Sequence, residues 1–142
     1  TMSIGNIFGI AGTALNAQLV RMNATASNLA NAGTAAGTEA EAFKAKRTVF
    51  KALVDDNLTN AGAPYVGGVK IDRMQDDASP IKPIFDPSHP LANAEGYIFP
   101  SNVNEVTEMV EMMASSRSYQ NNVEVVNTAK QLMMRTLELT RS

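Results

Sequence analysis

The sequence predicts a mainly α fold with a small β-rich insert, in which long N- and C-terminal helices pair as a coiled coil and the middle segment contains a hairpin. Three observations lead there. Apolar residues recur at spacings of three and four in both terminal zones. Formal charge is nearly excluded from the first zone, where Arg21 is the only charged residue up to position 38. All 6 Pro fall between Pro64 and Pro100, which confines helix-breaking residues to the middle.

The first helix is expected from about Ser3 to Asn31. Phe8, Gly12, Leu15, Leu19, Met22, Ala26 and Leu29 form one stripe along it. Its polar positions are Asn, Gln, Ser and Thr, which bury against a neighbour at far lower desolvation cost than Lys or Glu. Asn31 and Gly33 supply left-handed or turn positions that end the element.

The second helix is expected from about Asn102 to Arg141, with Asn102 as its cap and Glu105 reaching back in a capping box. Glu105, Glu108 and Glu111 near its start and Lys130, Arg135 and Arg141 near its end adopt the order the helix dipole favours. Met109, Met112, Ser116, Tyr119, Val123, Val126, Lys130, Met133 and Leu137 make a heptad-like seam. A second stripe of Val125, Ala129, Leu132 and Leu139 requires partners on more than one side. At about 1.5 Å per residue the two helices would span roughly 43 and roughly 60 Å.

Between them, Phe43 to Val54 and Tyr65 to Met74 have strand composition and can pair across the Asn60–Pro64 turn. Pro80 to Pro90 is too proline-rich for a central strand. The expected division is therefore 1–37 with 102–142 as paired terminal helices forming an inner tube-building domain, and 38–101 as a β-rich, irregular insert.

Composition excludes several function classes. A net charge of -2 without a basic cluster disfavours nucleic acid, and the absence of Cys removes disulfides, thiolate zinc sites and thiol nucleophiles. At 44% hydrophobic content the chain can bury a core, and 8 Met with no Trp make that apolar material adaptable. The N-terminus has no basic n-region, and no apolar run is long enough to span a bilayer, so neither a Sec signal nor direct membrane insertion is expected. Thr1 before Met2 is either the residue left by removal of an initiator Met or an appended one. No catalytic, cofactor-binding or metal-binding residue is expected. His89, the sole histidine, sits between Ser88 and Pro90 without a second ligand, and Asp55–Asp56 and Asp76–Asp77 read as solvated turn carboxylates. Asn23-Ala24-Thr25 and Asn57-Leu58-Thr59 match a glycosylation acceptor pattern short enough to arise by chance.

Two segments carry a family resemblance. Ala14-Leu15-Asn16-Ala17-Gln18 through Asn23-Ala24-Thr25-Ala26-Ser27-Asn28-Leu29-Ala30-Asn31-Ala32 is one. Asn102-Val103-Asn104-Glu105-Val106, Glu108-Met109-Val110, Ser115 to Val125 and Asn127-Thr128-Ala129-Lys130 form the other. Together they resemble the rod, hook and hook-associated axial proteins of the bacterial flagellum. Phe43-Lys44-Ala45-Lys46-Arg47-Thr48-Val49-Phe50 and Pro90-Leu91-Ala92-Asn93 with Gly96-Tyr97 are similar to the short insert of the proximal-rod type.

The resemblance implies a non-enzymatic structural subunit of the basal-body rod, exported without a cleaved Sec signal through the flagellar type III apparatus. It would polymerise in the periplasm with other rod subunits, and with copies of itself, into the shaft that transmits torque and encloses the export channel. A sister rod subunit is the close alternative. A helical component of a non-flagellar type III system is another, but it would not carry both end motifs, and a small enzyme finds no nucleophile–base pair here.

The residues expected to carry assembly and helix packing are Leu15, Leu19, Met22, Asn28, Leu29, Asn31, Met109, Met112, Arg117, Tyr119, Val123, Val126, Met133 and Leu137. For several the plain reading competes. Asn28 and Asn31 either fix register at a subunit junction or cap their own helix. Arg117 either meets Glu108 or Glu111 of a neighbouring subunit or lies on a solvated face. The Met residues at 109, 112, 113, 133 and 134 are either a binding groove or core. Gly5 and Gly9 allow close helix approach, though such pairs are frequent by chance.

Overall fold

A computed structural model describes residues 3–53 and 67–141. Its elements are α1 (Ile4–Asn31), β1 (Ala35–Ala36), β2 (Lys46–Ala52), β3 (Val69–Asp76), β4 (Ile84–Phe85), β5 (Tyr97–Pro100) and α2 (Glu105–Arg141). Two long helices of 28 and 37 residues thus flank a small antiparallel β insert.

Ser3 starts α1 by accepting the Asn6 amide on its Oγ at 3.2 Å, a side-chain cap that satisfies one of the helix's orphan donors. The helix ends without a left-handed residue, since neither Asn31 nor Gly33 has positive φ. Thr34 closes the end instead, donating both its amide (3.1 Å) and its hydroxyl (2.7 Å) to the Asn31 carbonyl.

The second helix begins three residues later than the sequence suggests. Asn104 is its cap, with Oδ1 accepting the Thr107 amide at 3.0 Å. Asn102 lies outside the helix and bonds the backbone of the insert instead. The capping pattern is legible in the sequence, but a run with Asn at both 102 and 104 offers two candidate caps.

In the insert, β5 is the centre of a three-stranded sheet of order β1-β5-β4, with Ala36 opposite Phe99 and Ile84 opposite Ile98. The proline-rich segment contributes only the two-residue edge strand β4, as its missing amide donors require. β2 and β3 form a separate two-stranded sheet. The backbone bonds at its ends, Leu53 N–H to Gly68 O at 3.0 Å and Asp77 N–H to Ala45 O at 2.8 Å, set the strands antiparallel. The expected pairing is therefore present, over Lys46–Ala52 and Val69–Asp76. Its 60–64 turn, Asp55–Asp56 and Asn57–Thr59 lie outside the described residues.

The chain forms two compact units. One gathers Thr1–Val20, Val49–Arg73 and Ala114–Ser142, and the other Arg21–Thr48 and Met74–Met113. In the first, the buried residues are small: Ala11, Ala17, Ser115 and Ala129. Thr13 joins its α1 segment to the sheet, its Oγ1 accepting the Val69 amide at 3.1 Å and donating to Ile10 O at 2.7 Å. Gly68 at φ 127 is needed there, because a Cβ would stand 2.8 Å from that same hydroxyl. In the second unit Ala24, Ala42, Ala45, Ile81 and Ile98 are buried together with Thr25, Asn28 and Glu108. No described helix is long and apolar enough to cross a membrane.

Candidate assembly interface

The largest fully buried side chains of the second unit are polar. Asn28 and Glu108 are both 0% exposed. Asn28 grips β2 by its backbone: its Oδ1 accepts the Lys46 amide at 2.8 Å and its Nδ2 donates to the Lys46 carbonyl at 3.0 Å. The same amide also donates to Glu108 Oε2 at 3.0 Å, while Arg47 pairs with Glu108 Oε1 and, through Nε, with Asp77 Oδ2 at 3.0 Å. One asparagine, one carboxylate and one guanidinium thereby bind α1, β2 and α2 to one another.

Electrostatics derive from that geometry. Burial works to lower the Arg47 pKa, but its bonds to Glu108 and Asp77 outweigh it and hold the group above its ordinary value. Asp77 is held below the usual carboxylate range, first by the Ser79 hydroxyl and amide, then by Arg47. A buried carboxylate without these partners would be costly. Asn102 extends the clasp by accepting the Ala45 amide on Oδ1 at 2.7 Å and donating from Nδ2 to Asp77 O (3.1 Å) and Ser79 O (3.0 Å). Arg21, the lone charge of the first zone, is paired with Glu111.

Most of these residues are not legible in the sequence. Glu108, Glu111, Arg47 and Asn102 read there as dipole, strand and cap residues. A partial signal exists in Glu108, Ser115 and Ala129, small or polar residues at heptad spacing that mark the inward face of α2 in place of the larger Met and Val.

The expected stripes land beside the buried faces. On α1, Ala11, Ala17, Ala24, Thr25 and Asn28 are buried, whereas Gly12, Leu19 and Ala26 are exposed and Phe8, Leu15, Met22 and Leu29 half-buried. On α2 the seam divides. Met112, Tyr119, Val126 and Met133 are half-buried, while Met109, Val123 and Leu137 are exposed. Asn28 sits inside its own chain, and Asn31 donates to Ser27 O at 2.8 Å near the helix end. Arg117 is exposed, but Glu108 and Glu111 are already engaged by Arg47 and Arg21 of the same chain, and Glu108 is beyond a neighbour's reach.

The outward faces are strongly apolar. Val106 (72% exposed), Met109, Val110 and Met113 lie at helical spacing on the first turns of α2. In the first unit, Ile4 and Ile7 of α1 with Val125, Thr128, Ala129 and Leu132 of α2 line an open apolar groove. Exposed aliphatic stripes of this length are surfaces suited to contact with other molecules. Among the described residues no group of three or more His, Cys, Asp or Glu could hold a metal ion.

Comparison with known proteins agrees with this picture. Residues 8–35 match the family model described as flagella basal body rod protein, and residues 94–139 that of flagellar basal body rod FlgEFG protein C-terminal. Over 97% of the chain and 98% of the relative, it is 44% identical to the flagellar basal-body rod protein FlgC of Yersinia enterocolitica and 45% identical to that of Escherichia coli O157:H7. The FlgC of Bacillus subtilis is 32% identical, with 97% of this chain and 99% of the relative covered. At 32% identity or more over 97% of its length to each of these relatives, the chain belongs to the flagellar basal-body rod protein FlgC family.

Proposed function

We propose that the chain is a structural, non-enzymatic subunit of the flagellar basal-body rod, and that it polymerises with other rod subunits and copies of itself into the axial shaft. The observation that carries this reading is the mismatch between pattern and burial. Both helices have long apolar stripes, yet the chain's own core uses the adjacent small and polar faces and leaves Leu19, Val106, Met109, Val110, Val123, Val125, Leu132 and Leu137 exposed. Those side chains need partners outside the chain.

On this reading 1–37 and 102–142 are terminal helices that pair as a coiled coil and pack laterally on adjacent subunits as the tube-building part, and 38–101 form the insert. The assembled subunit lies in the periplasm after type III export, transmits torque and helps to enclose the export channel. Leu15, Met22, Leu29, Tyr119, Val126 and Met133 are half-buried within the chain and complete their burial in the assembly.

The test is far-ultraviolet circular dichroism with sedimentation of the purified full chain, alone and with candidate rod partners. The expected result is a monomer that gains helix on assembly. A fully helical monomer indifferent to every rod partner would refute the reading.

A further inference from the structure

The insert displays one aromatic feature that the helix stripes do not account for. Phe85 of β4 stands directly opposite Tyr97 of β5, and their rings meet edge-on with centroids 5.2 Å apart. Phe85 is nevertheless 63% exposed. The loop behind the pair is tightly tied. Asp86 N–H bonds Gly96 O at 2.9 Å, Asn93 N–H bonds Tyr97 O at 2.9 Å, and Asn93 Oδ1 accepts the amides of Glu95 (3.0 Å) and Tyr97 (2.9 Å). Gly96 holds φ 83, and a Cβ on it would come within 2.9 Å of the Phe85 ring and 3.2 Å of Pro87. A rigid loop that spends a constrained glycine on seating an exposed phenylalanine resembles a preorganised binding anchor, since rigid aromatics give contact area at low entropic cost.

We propose that this aromatic knob docks on the Val106, Met109, Val110 and Met113 stripe of a second copy of the chain. Three features select that occupant. Thioethers favour aromatic ring edges, and the stripe offers two exposed Met. The rims are complementary: exposed Lys82 precedes the knob and Glu95 comes after it, while α2 carries exposed Glu105 before the stripe and Arg117 one turn past Met113. Glu95 is then a carboxylate open to a neighbour's Arg117, which Glu108 is not.

The areas also fit. Each patch amounts to roughly 300 Å², so one contact buries about half of the ~1,200 Å² that a stable stand-alone pair needs. It holds only where other contacts act with it. Because knob and stripe differ, the contact is heterologous and runs from copy to copy, as a ring or an open helix according to the rotation between copies.

The proposal rests on the polymerising role above and is tested separately from it. The chain has no Cys, so single cysteines report cleanly. Chains with Phe85→Cys and chains with Met113→Cys are co-assembled with wild-type rod partners and treated with a short bis-maleimide. A second pair, Glu95→Cys and Arg117→Cys, covers the rim in case the first disturbs assembly. The expected products are Phe85–Met113 and Glu95–Arg117 crosslinks between copies. Glu95→Arg or Arg117→Glu alone should raise the assembly threshold about three- to fivefold, as expected for reversing one exposed rim pair, and the two together in one chain should restore it. Rods that form without either crosslink, or Phe85–Phe85 products in their place, would overturn the docking while leaving the subunit role intact. Failure of the wild-type chain to enter rods would sink that role instead.

Discussion

Glu108 illustrates what single residues contribute. Its carboxylate is fully enclosed and held by Asn28 and Arg47, so Glu108→Ala takes one partner from each. Because Arg47 retains partial solvent access and Asp77, the expected loss is about 3 kcal/mol, the low end for breaking a buried pair. Asn28→Ala, which abandons both polar groups of Lys46, should cost about 2–3 kcal/mol. Urea midpoints with unchanged slopes would verify both values; a loss under about 0.5 kcal/mol would mean the clasp opens in solution. Asp77 adds a pH dependence. Its folded pKa lies below the ordinary 3.8, so its stabilisation is complete above that value and disappears as pH falls through the folded pKa. Stability of the wild type should therefore drop below about pH 4, and Asp77→Asn should flatten that part of the profile. The sequence does not announce these roles, because a buried ion pair is made by residues 61 positions apart that share no local pattern.

At the scale of elements, local chemistry is more readable. Helix existence, polarity and approximate bounds come from three-four periodicity and the confinement of Pro to the middle, and the β2–β3 pairing from strand composition. The start of α2 is ambiguous in the sequence because Asn102 and Asn104 are equally good caps in isolation, and only tertiary contacts divide their work. Asn104→Ala should cost about 1 kcal/mol as an ordinary cap. Asn102→Ala should cost more, since it leaves the Ala45 amide and the Asp77 and Ser79 carbonyls without their shared partner. Thermal melts of the two variants decide the point: equal losses would contradict the assignment. Gly96→Ala is expected to lose about 1–3 kcal/mol from positive φ and the clash with Phe85.

For the whole molecule, the periodic stripes are visible in the sequence but not which face the chain keeps for itself. The helices fully bury Ala, Ser, Thr, Asn and Glu and leave Leu, Met and Val half-buried or exposed, the reverse of what hydrophobicity alone suggests. In the proposed assembly those outward side chains would face neighbouring subunits. Hydrogen exchange on the free chain should accordingly be slower at the amides of residues 105–113, beside the clasp, than at 130–141, where nearly every side chain is exposed. Uniform protection along α2 would contradict that distribution.

Asn28, Arg47 and Glu108 have a consequence for inheritance. Glu108 is held by the other two, so losing either one removes a partner from a fully enclosed carboxylate. Drift along this lineage cannot pass easily through a chain with two of the three. The positions should descend as a block, changing together or staying fixed while the surface around them diverges. An alignment of rod subunits in which one of the three varies freely while the other two stay would show that the clasp tolerates gradual exchange after all.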